Sequence, residues 1–257
     1  MQTKNILGID VGGSGIKGAV VNIEKGALVT ERMKIATPKP STPEAVAEVF
    51  AELIGQQGYE GQLIGCGFPS IMKEGVCYSA SNIDKSWKGV DVAALFSKVS
   101  GRQVFVSNDA DVAGLSEMRY GVGKGLKGSV LLITIGTGLG TALFTDGHLV
   151  QNTEFGHIPF KGKAAAEKYI SNSVRKKENL DWDEFGRRFN EYLEVINRIL
   201  SPNLIIIGGG ISSRYHLFEE HINVEAEVKT AEMFNHAGII GAALFAKLEA
   251  GKAGALR

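Results

Sequence analysis

Two short glycine-rich segments of this chain have the composition of phosphate-binding loops. The first, Gly12-Gly13-Ser14, follows an apolar run, and the second, Gly136-Thr137-Gly138, follows the mostly apolar residues 130–135. Successive backbone N–H groups in a glycine turn form a concave anion site, and glycine lets the chain approach oxygen atoms closely. Two such loops, one in each half of the chain, predict a site that binds a chain of phosphates from both sides.

Asp10 and Lys17 flank the first of these loops. A carboxylate at this position would repel phosphate unless a cation lay between them, so we expect Asp10 to bind Mg²⁺ directly or through water. Lys17 can add a positive charge for the phosphates. A solvated lysine on an edge strand explains this residue equally well.

Asn108 and Asp109, which follow the apolar run 104–106, are candidates for binding and activating a phosphoryl acceptor. The carboxyl end of a strand is the usual place for a site in an open α/β sheet. An amide and a carboxylate suit sugar hydroxyls, and Asp109 can take the proton of the attacking hydroxyl. The alternative is that Asp109 only caps a helix beginning at Ala110, and Asp111 strengthens that alternative. With the phosphate loops present, we favour catalysis.

Glu154 and His157 stand three positions apart in the segment after the second glycine loop. Side chains at this spacing can contact neighbouring hydroxyls of one sugar ring. A lone histidine is more often part of the protein's own packing, so these two residues by themselves do not decide between the two roles.

The elements around the first glycine loop exclude one common interpretation of it. Gly13, Gly15 and Gly18 match G-x-G-x-x-G, but the dinucleotide-binding fingerprint requires a helix directly after its glycines. Here a β-branched run at 19–23, a turn and a further strand at 27–33 follow, which argues against a nicotinamide dehydrogenase. The same strand–loop–strand unit returns at 130–144 and indicates duplicated lobes. The alternative is two similar hairpins arising by chance.

The remaining periodicity predicts an α/β protein whose helices cover the sheets. Ser41 and Glu44 fit a capping box at the start of one helix, with Pro43 in its first turn. We predict an N-terminal lobe, 1–107, joined by the terminal helix near 237–250, and a C-terminal lobe, 108–236. Further strands are predicted at 63–68, 104–106 and 204–207, and further helices at 110–120, 164–177, 182–200 and 237–248.

The composition restricts the classes of partner. The 28 lysines and arginines balance the 28 aspartates and glutamates of the 257-residue chain, which argues against broad binding of nucleic acid or anionic membranes. Cys66 and Cys77 form no C-x-x-C motif and no Cys/His cluster, which favours a reducing compartment. The sequence shows no signal-peptide pattern and no apolar run of membrane-spanning length. We expect a soluble, cytoplasmic protein.

Several segments together resemble the ROK family of sugar kinases, and most closely its polyphosphate glucokinase branch. The resemblance covers essentially the whole chain. It implies an α/β, actin/hexokinase-like (ribonuclease H-like) fold of two duplicated lobes with a cleft between them. The segments are Asp10-x-Gly12-Gly13-Ser14, Asn82-Ile83-Asp84-Lys85-Ser86-Trp87, Ser107 to Gly114, Ile133 to Gly140 and Asn152-Thr153-Glu154-Phe155-Gly156-His157.

The resemblance implies a role for each matching residue. Asp109 would be the general base for the glucose 6-hydroxyl, and Asp10 would bind Mg²⁺. The other sugar ligands would be Asn82, Asn108, Glu154, His157 and Glu167. The phosphates would lie against Gly12, Gly13, Ser14, Lys17, Gly136, Thr137 and Gly138. The adenosine part of a nucleotide would lie at Gly208, Gly209 and Gly210.

The chain also departs from the family pattern. Many ROK kinases carry a cysteine-rich zinc motif after the histidine, but residues 162–166 replace it here, so we expect no zinc and no metal at His157. Ser70 stands where the family pattern has glycine, which leaves the detail of the sugar entrance open. No helix-turn-helix precedes the first glycine loop, so the repressor members are a poor match.

The resemblance implies a polyphosphate–glucose phosphotransferase that makes glucose 6-phosphate, with ATP as an open second donor and a homodimer as the expected assembly. Polyphosphate needs a longer positive track than ATP. Arg175-Lys176-Lys177 and Arg187-Arg188 are candidates, although charge runs on helices are usually solvated. One alternative is an ATP-dependent ROK hexokinase for glucose, mannose or an N-acetylhexosamine. Another is a non-catalytic sugar sensor, against which the presence of Asp10 and Asp109 speaks.

Overall fold

The computed structural model describes residues 4–81 and 83–255. The chain divides into two compact units. Unit 1 comprises Met1–Ser116 with His236–Arg257, and unit 2 comprises Glu117–Asn235. No helix within the described part of the chain is both long enough and apolar enough to cross a bilayer.

The elements alternate between strands and helices, as expected for an α/β protein. The helices are α1 (Pro43–Gln56), α2 (Val92–Ser100), α3 (Asp109–Tyr120), α4 (Glu167–Ile170), α5 (Asn172–Lys177), α6 (Trp182–Leu200) and α7 (Ala237–Ala255). The strands are β1 (Asn5–Gly12), β2 (Gly15–Asn22), β3 (Ala27–Leu28), β4 (Met33–Ile35), β5 (Leu63–Phe68), β6 (Met72–Lys73), β7 (Val76–Cys77), β8 (Gln103–Asn108), β9 (Ser129–Ile135), β10 (Leu139–Thr145), β11 (His148–Val150), β12 (Leu204–Gly208) and β13 (Glu227–Thr230).

Each unit contains one main sheet, and the two sheets have the same strand order. In unit 1 the order is β3-β2-β1-β5-β8, with β4 also paired to β2. In unit 2 the order is β11-β10-β9-β12-β13. Each sheet joins an antiparallel hairpin to two parallel strands. The duplication predicted from the two strand–loop–strand segments is therefore confirmed.

The terminal helix α7 packs directly on the sheet of unit 1. A side chain at Gly65 of β5 would come within 1.8 Å of the Ala242 carbonyl oxygen, so only glycine permits this approach. On the other face of the sheet, Phe50, Phe68, Trp87 and Phe96 form an aromatic cluster, with ring centroids 4.1 Å apart for Phe50 and Phe96. These contacts hold β1, β5 and β8 in place.

The first turns of α3 also pack on unit 1, which explains where the units divide. A side chain at Gly241 of α7 would overlap the Val112 carbonyl oxygen. The division therefore falls inside α3, between Ser116 and Glu117, rather than at the boundary of 107 and 108 that we predicted from the sequence.

The core of unit 2 lies between its sheet and helix α6. Phe185, Phe189 and Tyr192 repeat at helical spacing on one face of α6 and are fully buried. Phe218 completes this cluster, with its ring centroid 5.3 Å from that of Phe185. The helix predicted at 182–200 is thus confirmed with the same bounds.

Local hydrogen bonds differ from two predictions made from the sequence. The N-cap of α1 is Thr42, whose Oγ1 accepts from the Ala45 N–H at 3.4 Å, so the capping box predicted at Ser41 is wrong. Ser41 instead accepts from the Asp84 N–H through its hydroxyl and from Trp87 Nε1 through its carbonyl.

The continuous helix predicted at 164–177 is also wrong. It is two short helices, α4 and α5, separated at Ser171, whose backbone is extended with φ −76° and ψ 160°. Ser171 caps α5 by accepting from the Val174 N–H. Separately, β13 and α2 were not predicted, and the strand predicted at 27–33 is split between β3 and β4.

Candidate functional site

In unit 1 the first glycine loop is a tight hairpin turn between β1 and β2. Gly12 pairs with Gly15, so Gly13 and Ser14 alone form the turn. The Thr37 hydroxyl donates to the Gly12 carbonyl at 2.5 Å and fixes the end of β1. The loop of the sequence prediction is therefore present as a two-residue turn at the carboxyl end of a buried strand.

Asp10 and Lys17 face each other across this hairpin. They are register partners on β1 and β2, and Lys17 Nζ lies 3.1 Å from Asp10 Oδ2. Both side chains are partly buried, with exposures of 21% for Asp10 and 28% for Lys17, so this ion pair is shielded from bulk solvent more than a surface pair. In this arrangement Lys17 neutralises Asp10, a contact that the spacing of the two residues did not suggest.

Asp10 and the Asn108-Asp109 pair lie at the same edge of the sheet of unit 1. Asp10 is level with Gly67 of β5, and Gly67 is level with Ser107 of β8. Because neighbouring strands are about 4.8 Å apart, the backbones at Asp10 and Ser107 are about 10 Å apart. Asp109 is half-buried and begins α3 directly after β8.

Asn108, rather than Asp109, caps helix α3. The Asn108 Oδ1 atom accepts from the N–H groups of Ala110 at 2.8 Å and Asp111 at 3.2 Å. Its Nδ2 atom donates to the Ser70 carbonyl at 3.0 Å. Both lone pairs of Oδ1 are used, so Asn108 has one N–H left to offer a ligand.

Asp109 therefore stands one position after the residue that caps α3, and its carboxylate also contacts the first turn of the helix. One Asp109 oxygen accepts from the Ala110 N–H at 2.8 Å, which holds the carboxylate in the first turn of α3. A carboxylate near a helix N-terminus is stabilised in its charged form, the form that a general base needs.

Ser70 is the residue that departs from the family pattern, and the structure gives it a structural role. Its buried hydroxyl donates to the Ser79 carbonyl at 2.5 Å and lies 3.0 Å from the Cys77 sulfur. The serine therefore ties the segment around β6 and β7 to the end of β5. Its carbonyl remains available to orient Asn108.

In unit 2 the second glycine loop joins β9 to β10, and the Glu154–His157 segment packs beside it. A side chain at Gly156 would come within 2.2 Å of the Leu139 carbonyl oxygen, so glycine is required at this contact. The Thr141 hydroxyl accepts from the Phe155 N–H at 3.1 Å and donates to the Thr153 carbonyl. These contacts bring Glu154 and His157 next to the loop.

His157 lies between two carboxylates. Its Nδ1 atom is 3.2 Å from Glu154 Oε2, and its Nε2 atom is 4.0 Å from Glu167 Oε2. Burial raises the pKa of Glu154, the His157 charge opposes this rise, and the Glu167 charge adds to it. The group offers carboxylate acceptors and an imidazole, which match the donors and acceptors of a sugar ring.

The triglycine segment lies against the strand that leads into the same loop. Gly209 has φ +77°, and a side chain there would come within 2.6 Å of the Ile135 carbonyl oxygen. Around Gly210 the space is open. Unit 2 therefore gathers the second glycine loop, the candidate sugar ligands Glu154 and His157, and the candidate nucleotide-binding glycines at the ends of β9 and β12.

Among the predicted sugar ligands, Asn82 lies outside the described residues. Two residues that sequence reasoning missed, Asn172 and Ser173, contact the second glycine loop through its carbonyls. The missed signal was the run Ser171-Asn172-Ser173, because residues of this kind favour helix caps over helix interiors.

Two sheets of identical order, each with a glycine loop after its first strand, define the actin/hexokinase-like class of phosphotransferase folds. The ROK family model matches residues 6–168, and the chain belongs to the ROK family.

Individual relatives are similar along nearly the whole chain. The polyphosphate glucokinase of Mycobacterium tuberculosis (strain H37Rv) is 42% identical over 238 residues, covering 92% of this chain and 89% of the relative. The Mycobacterium leprae polyphosphate glucokinase is 39% identical, covering 92% of this chain and 73% of its own. The crystal structure of an inorganic polyphosphate/ATP-glucomannokinase from Arthrobacter sp. strain KM has 42% identity and a TM-score of 0.92, covering 96% of this chain and 100% of that chain.

Proposed function

We propose that this protein transfers a phosphoryl group from inorganic polyphosphate to the 6-hydroxyl of glucose, giving glucose 6-phosphate, and that ATP is a second donor. The observation that carries the proposal is the 42% identity, over 92% of the chain, to polyphosphate glucokinases. The 42% identity, over 96% of the chain, to the structure of a polyphosphate/ATP-glucomannokinase supports polyphosphate and ATP as the two donors.

In the proposed reaction, Asp109 takes the proton from the glucose 6-hydroxyl as its oxygen attacks the terminal phosphorus of the donor. The bond from that phosphorus to the rest of the donor breaks, and the shortened polyphosphate leaves. Support comes from the position of Asp109, which is half-buried at the N-terminus of α3 and directly follows the cap residue Asn108. Glu154, His157 and Glu167 would hold other hydroxyls, and Asn108 would contribute its remaining N–H. The role of Asn82 as a sugar ligand stays a prediction from the sequence.

Each glycine loop is a proposed phosphate-binding segment, and Asp10, beside the first loop, is the proposed metal ligand. Mg²⁺ in phosphoryl-transfer sites usually takes one or two carboxylates and completes its shell with phosphate oxygens and water, and the single Asp10 carboxylate fits that donor set. When bound, the ion would neutralise charge that develops on the donor phosphates. Lys17 Nζ lies 3.1 Å from Asp10 Oδ2. When the donor binds, Lys17 would give up part of this contact and bind the donor phosphates.

The two basic segments, Arg175-Lys176-Lys177 and Arg187-Arg188, differ in whether their charges form ion pairs. Arg188 lies 2.8 Å from Glu178 and 2.9 Å from Glu184, and Arg187 lies 3.0 Å from Glu184. Lys176 and Lys177 are exposed, and the described part of the chain places no carboxylate within ion-pair distance of either.

The structure therefore favours Lys176 and Lys177 as the positive charges that attract a long polyphosphate. Helix α5 contacts the second glycine loop at its first two residues, Asn172 and Ser173. Lys177 is therefore about one helical turn, or about 6 Å along the helix axis, from Ser173. Unpaired ammonium groups at that separation raise the local concentration of an anionic donor.

The experiment that tests the proposal is a matrix of donors and sugars, measured as initial rates with and without Mg²⁺. Polyphosphate and ATP are each paired with glucose, mannose and N-acetylglucosamine on one preparation. We expect turnover of polyphosphate with glucose that depends on Mg²⁺. Turnover with ATP alone would favour an ATP-dependent hexokinase, and sugar binding without any turnover would favour a sugar sensor.

The location and assembly of the protein belong to the same proposal. We infer a cytoplasmic location from the cysteine usage of the sequence. We infer a homodimer from the family resemblance. Analytical ultracentrifugation at micromolar concentration tests the dimer, for which a single species of monomer mass would be the contrary result.

A further inference from the structure

We propose that Asn172 and Ser173 are positioning residues that shape the second glycine loop into an anion site. This inference rests on the proposed function, because it assumes that the loop binds the phosphates of the donor. It concerns how the loop is held, which neither the family match nor the names of the relatives assign.

The loop is held by its carbonyl groups. The Asn172 N–H donates to the Gly136 carbonyl at 3.1 Å, and the Ser173 hydroxyl donates to the Thr137 carbonyl at 2.5 Å. A third bond, from the Gly136 N–H to the Gly138 carbonyl at 3.0 Å, closes the turn within the loop. Helix α5 therefore binds two consecutive peptide groups of the loop on one side.

The orientation of the N–H groups follows from the peptide bond itself. In a trans peptide the C=O and the following N–H point in opposite directions. Because the Gly136 and Thr137 carbonyls point toward α5, the N–H groups of Thr137 and Gly138 point away from it. Two successive N–H groups directed to the same side form the kind of concave site that binds a phosphate oxygen.

These two N–H groups are available to a ligand. Within the described residues, neither the Thr137 N–H nor the Gly138 N–H donates a hydrogen bond. Thr137 is exposed, and Gly138 is half-buried. The loop is thus prepared for an anion by contacts made on its opposite side, and Asn172 and Ser173 need not touch the donor.

The local structure of α5 supports two specific variants. Ser171 is the N-cap with an extended backbone, so Asn172 is the first helical residue, a position where proline is well tolerated. Asn172→Pro therefore preserves the helix, removes the N–H that holds Gly136 and places the ring Cδ against the Gly136 carbonyl, so that this part of the loop must move away from α5. Ser173→Ala removes the hydroxyl that holds Thr137, and the exposed Ser173 side chain leaves no cavity.

Matched controls separate these contacts from general damage. Asn172→Ala removes the amide side chain and its 3.4 Å contact with Arg175 but keeps the backbone N–H. Ser201→Ala removes another exposed serine hydroxyl that donates to a backbone carbonyl, that of Asn197 at 3.3 Å. Ser173→Thr keeps a hydroxyl at the tested position.

Steady-state kinetics with polyphosphate and with ATP test the inference. We expect Ser173→Ala to raise the KM for both donors about two- to tenfold, the effect of losing one neutral hydrogen bond. Asn172→Pro, which also displaces the Gly136 carbonyl, should raise the KM for both donors at least as much. The KM for glucose should stay unchanged in both variants. Ser173→Thr should keep the donor KM of the original protein, because it keeps a hydroxyl. The controls Asn172→Ala and Ser201→Ala should also have the donor KM of the original protein.

Two outcomes would overturn the inference while leaving the proposed function intact. One is an unchanged donor KM in both variants of an enzyme that uses polyphosphate. The other is an equal rise in the KM for donor and glucose, which would indicate a purely structural role. Absence of any kinase activity in the unsubstituted protein would instead contradict the proposed function itself.

Discussion

The substitution Asp109→Asn isolates the proposed proton transfer from the folding of α3. Asparagine has the shape of aspartate and keeps an oxygen that accepts from the Ala110 N–H, the 2.8 Å contact that fixes the Asp109 side chain. The helix cap is unaffected, because Asn108 makes it. The change therefore removes the negative charge and the basicity of the carboxylate while it keeps the contact with the Ala110 N–H.

The expected effect is large in turnover and small in stability. A positioned general base contributes about 10²- to 10⁴-fold to rate, so kcat should fall by that factor with either donor. The free energy of unfolding should fall by no more than about 1 kcal/mol, the usual contribution of a charged carboxylate at a helix N-terminus. The affinity for glucose should remain within a factor of about three of the original value, since the asparagine amide oxygen can still accept a hydrogen bond from the sugar.

The assay couples glucose 6-phosphate formation to a dehydrogenase and is combined with calorimetric titration of glucose. Asn108→Ala serves as a comparison, because it removes the cap and the bond to Ser70. That variant should lose about 1 kcal/mol or more of stability. An Asp109→Asn enzyme that keeps more than a tenth of its kcat would refute the assignment of the base.

Three further predictions follow from the charges of the structure. Lys176→Gln with Lys177→Gln should raise the KM for long polyphosphate several-fold at low salt and leave the KM for ATP nearly unchanged. Arg187→Gln, a matched loss of a charge already paired with Glu184, should change neither KM. An equal rise in the KM for polyphosphate in both variants would refute the role of Lys176 and Lys177. Lys17→Met should weaken donor binding without altering glucose affinity; an unchanged donor KM would show that Lys17 serves only its 3.1 Å contact with Asp10. Burial raises the pKa of Glu117 above its ordinary value of 4.5, so the stability it contributes is greatest below pH 4.5 and is lost as pH rises through the folded-state pKa. Glu117→Gln should therefore gain stability relative to the original protein as pH rises above 4.5, and parallel urea midpoints across that range would contradict this.

The sequence predicted the elements that depend on local pattern. The strand at 63–68 and the helix at 182–200 have the predicted bounds, because a continuous apolar run and a strong helical periodicity identify them without tertiary information. The short strand β13 was missed, since its alternating residues Glu227 to Thr230 gain their role only by pairing with β12.

The candidate site shows the same limit. Asp10, Asp109, Glu154 and His157 could be chosen from their residue types and their positions after apolar runs. The partners of Asn108 and Ser173 could not, because a polar side chain at a strand end or in the first turn of a helix has several possible partners. Only the folded chain shows that Asn108 caps α3 and that Ser173 reaches Thr137.

The amino-acid sequence by itself determined the class of this protein, because hydrophobic periodicity, glycine placement and repeated motifs are properties of the chain alone. Tertiary structure decided which groups meet: the pairing of Lys17 with Asp10, the position of His157 between two carboxylates, and the anchoring of the second glycine loop by α5. These contacts join residues from different elements. Their geometry is set by strand register and helix packing, which operate at distances that local sequence pattern does not encode.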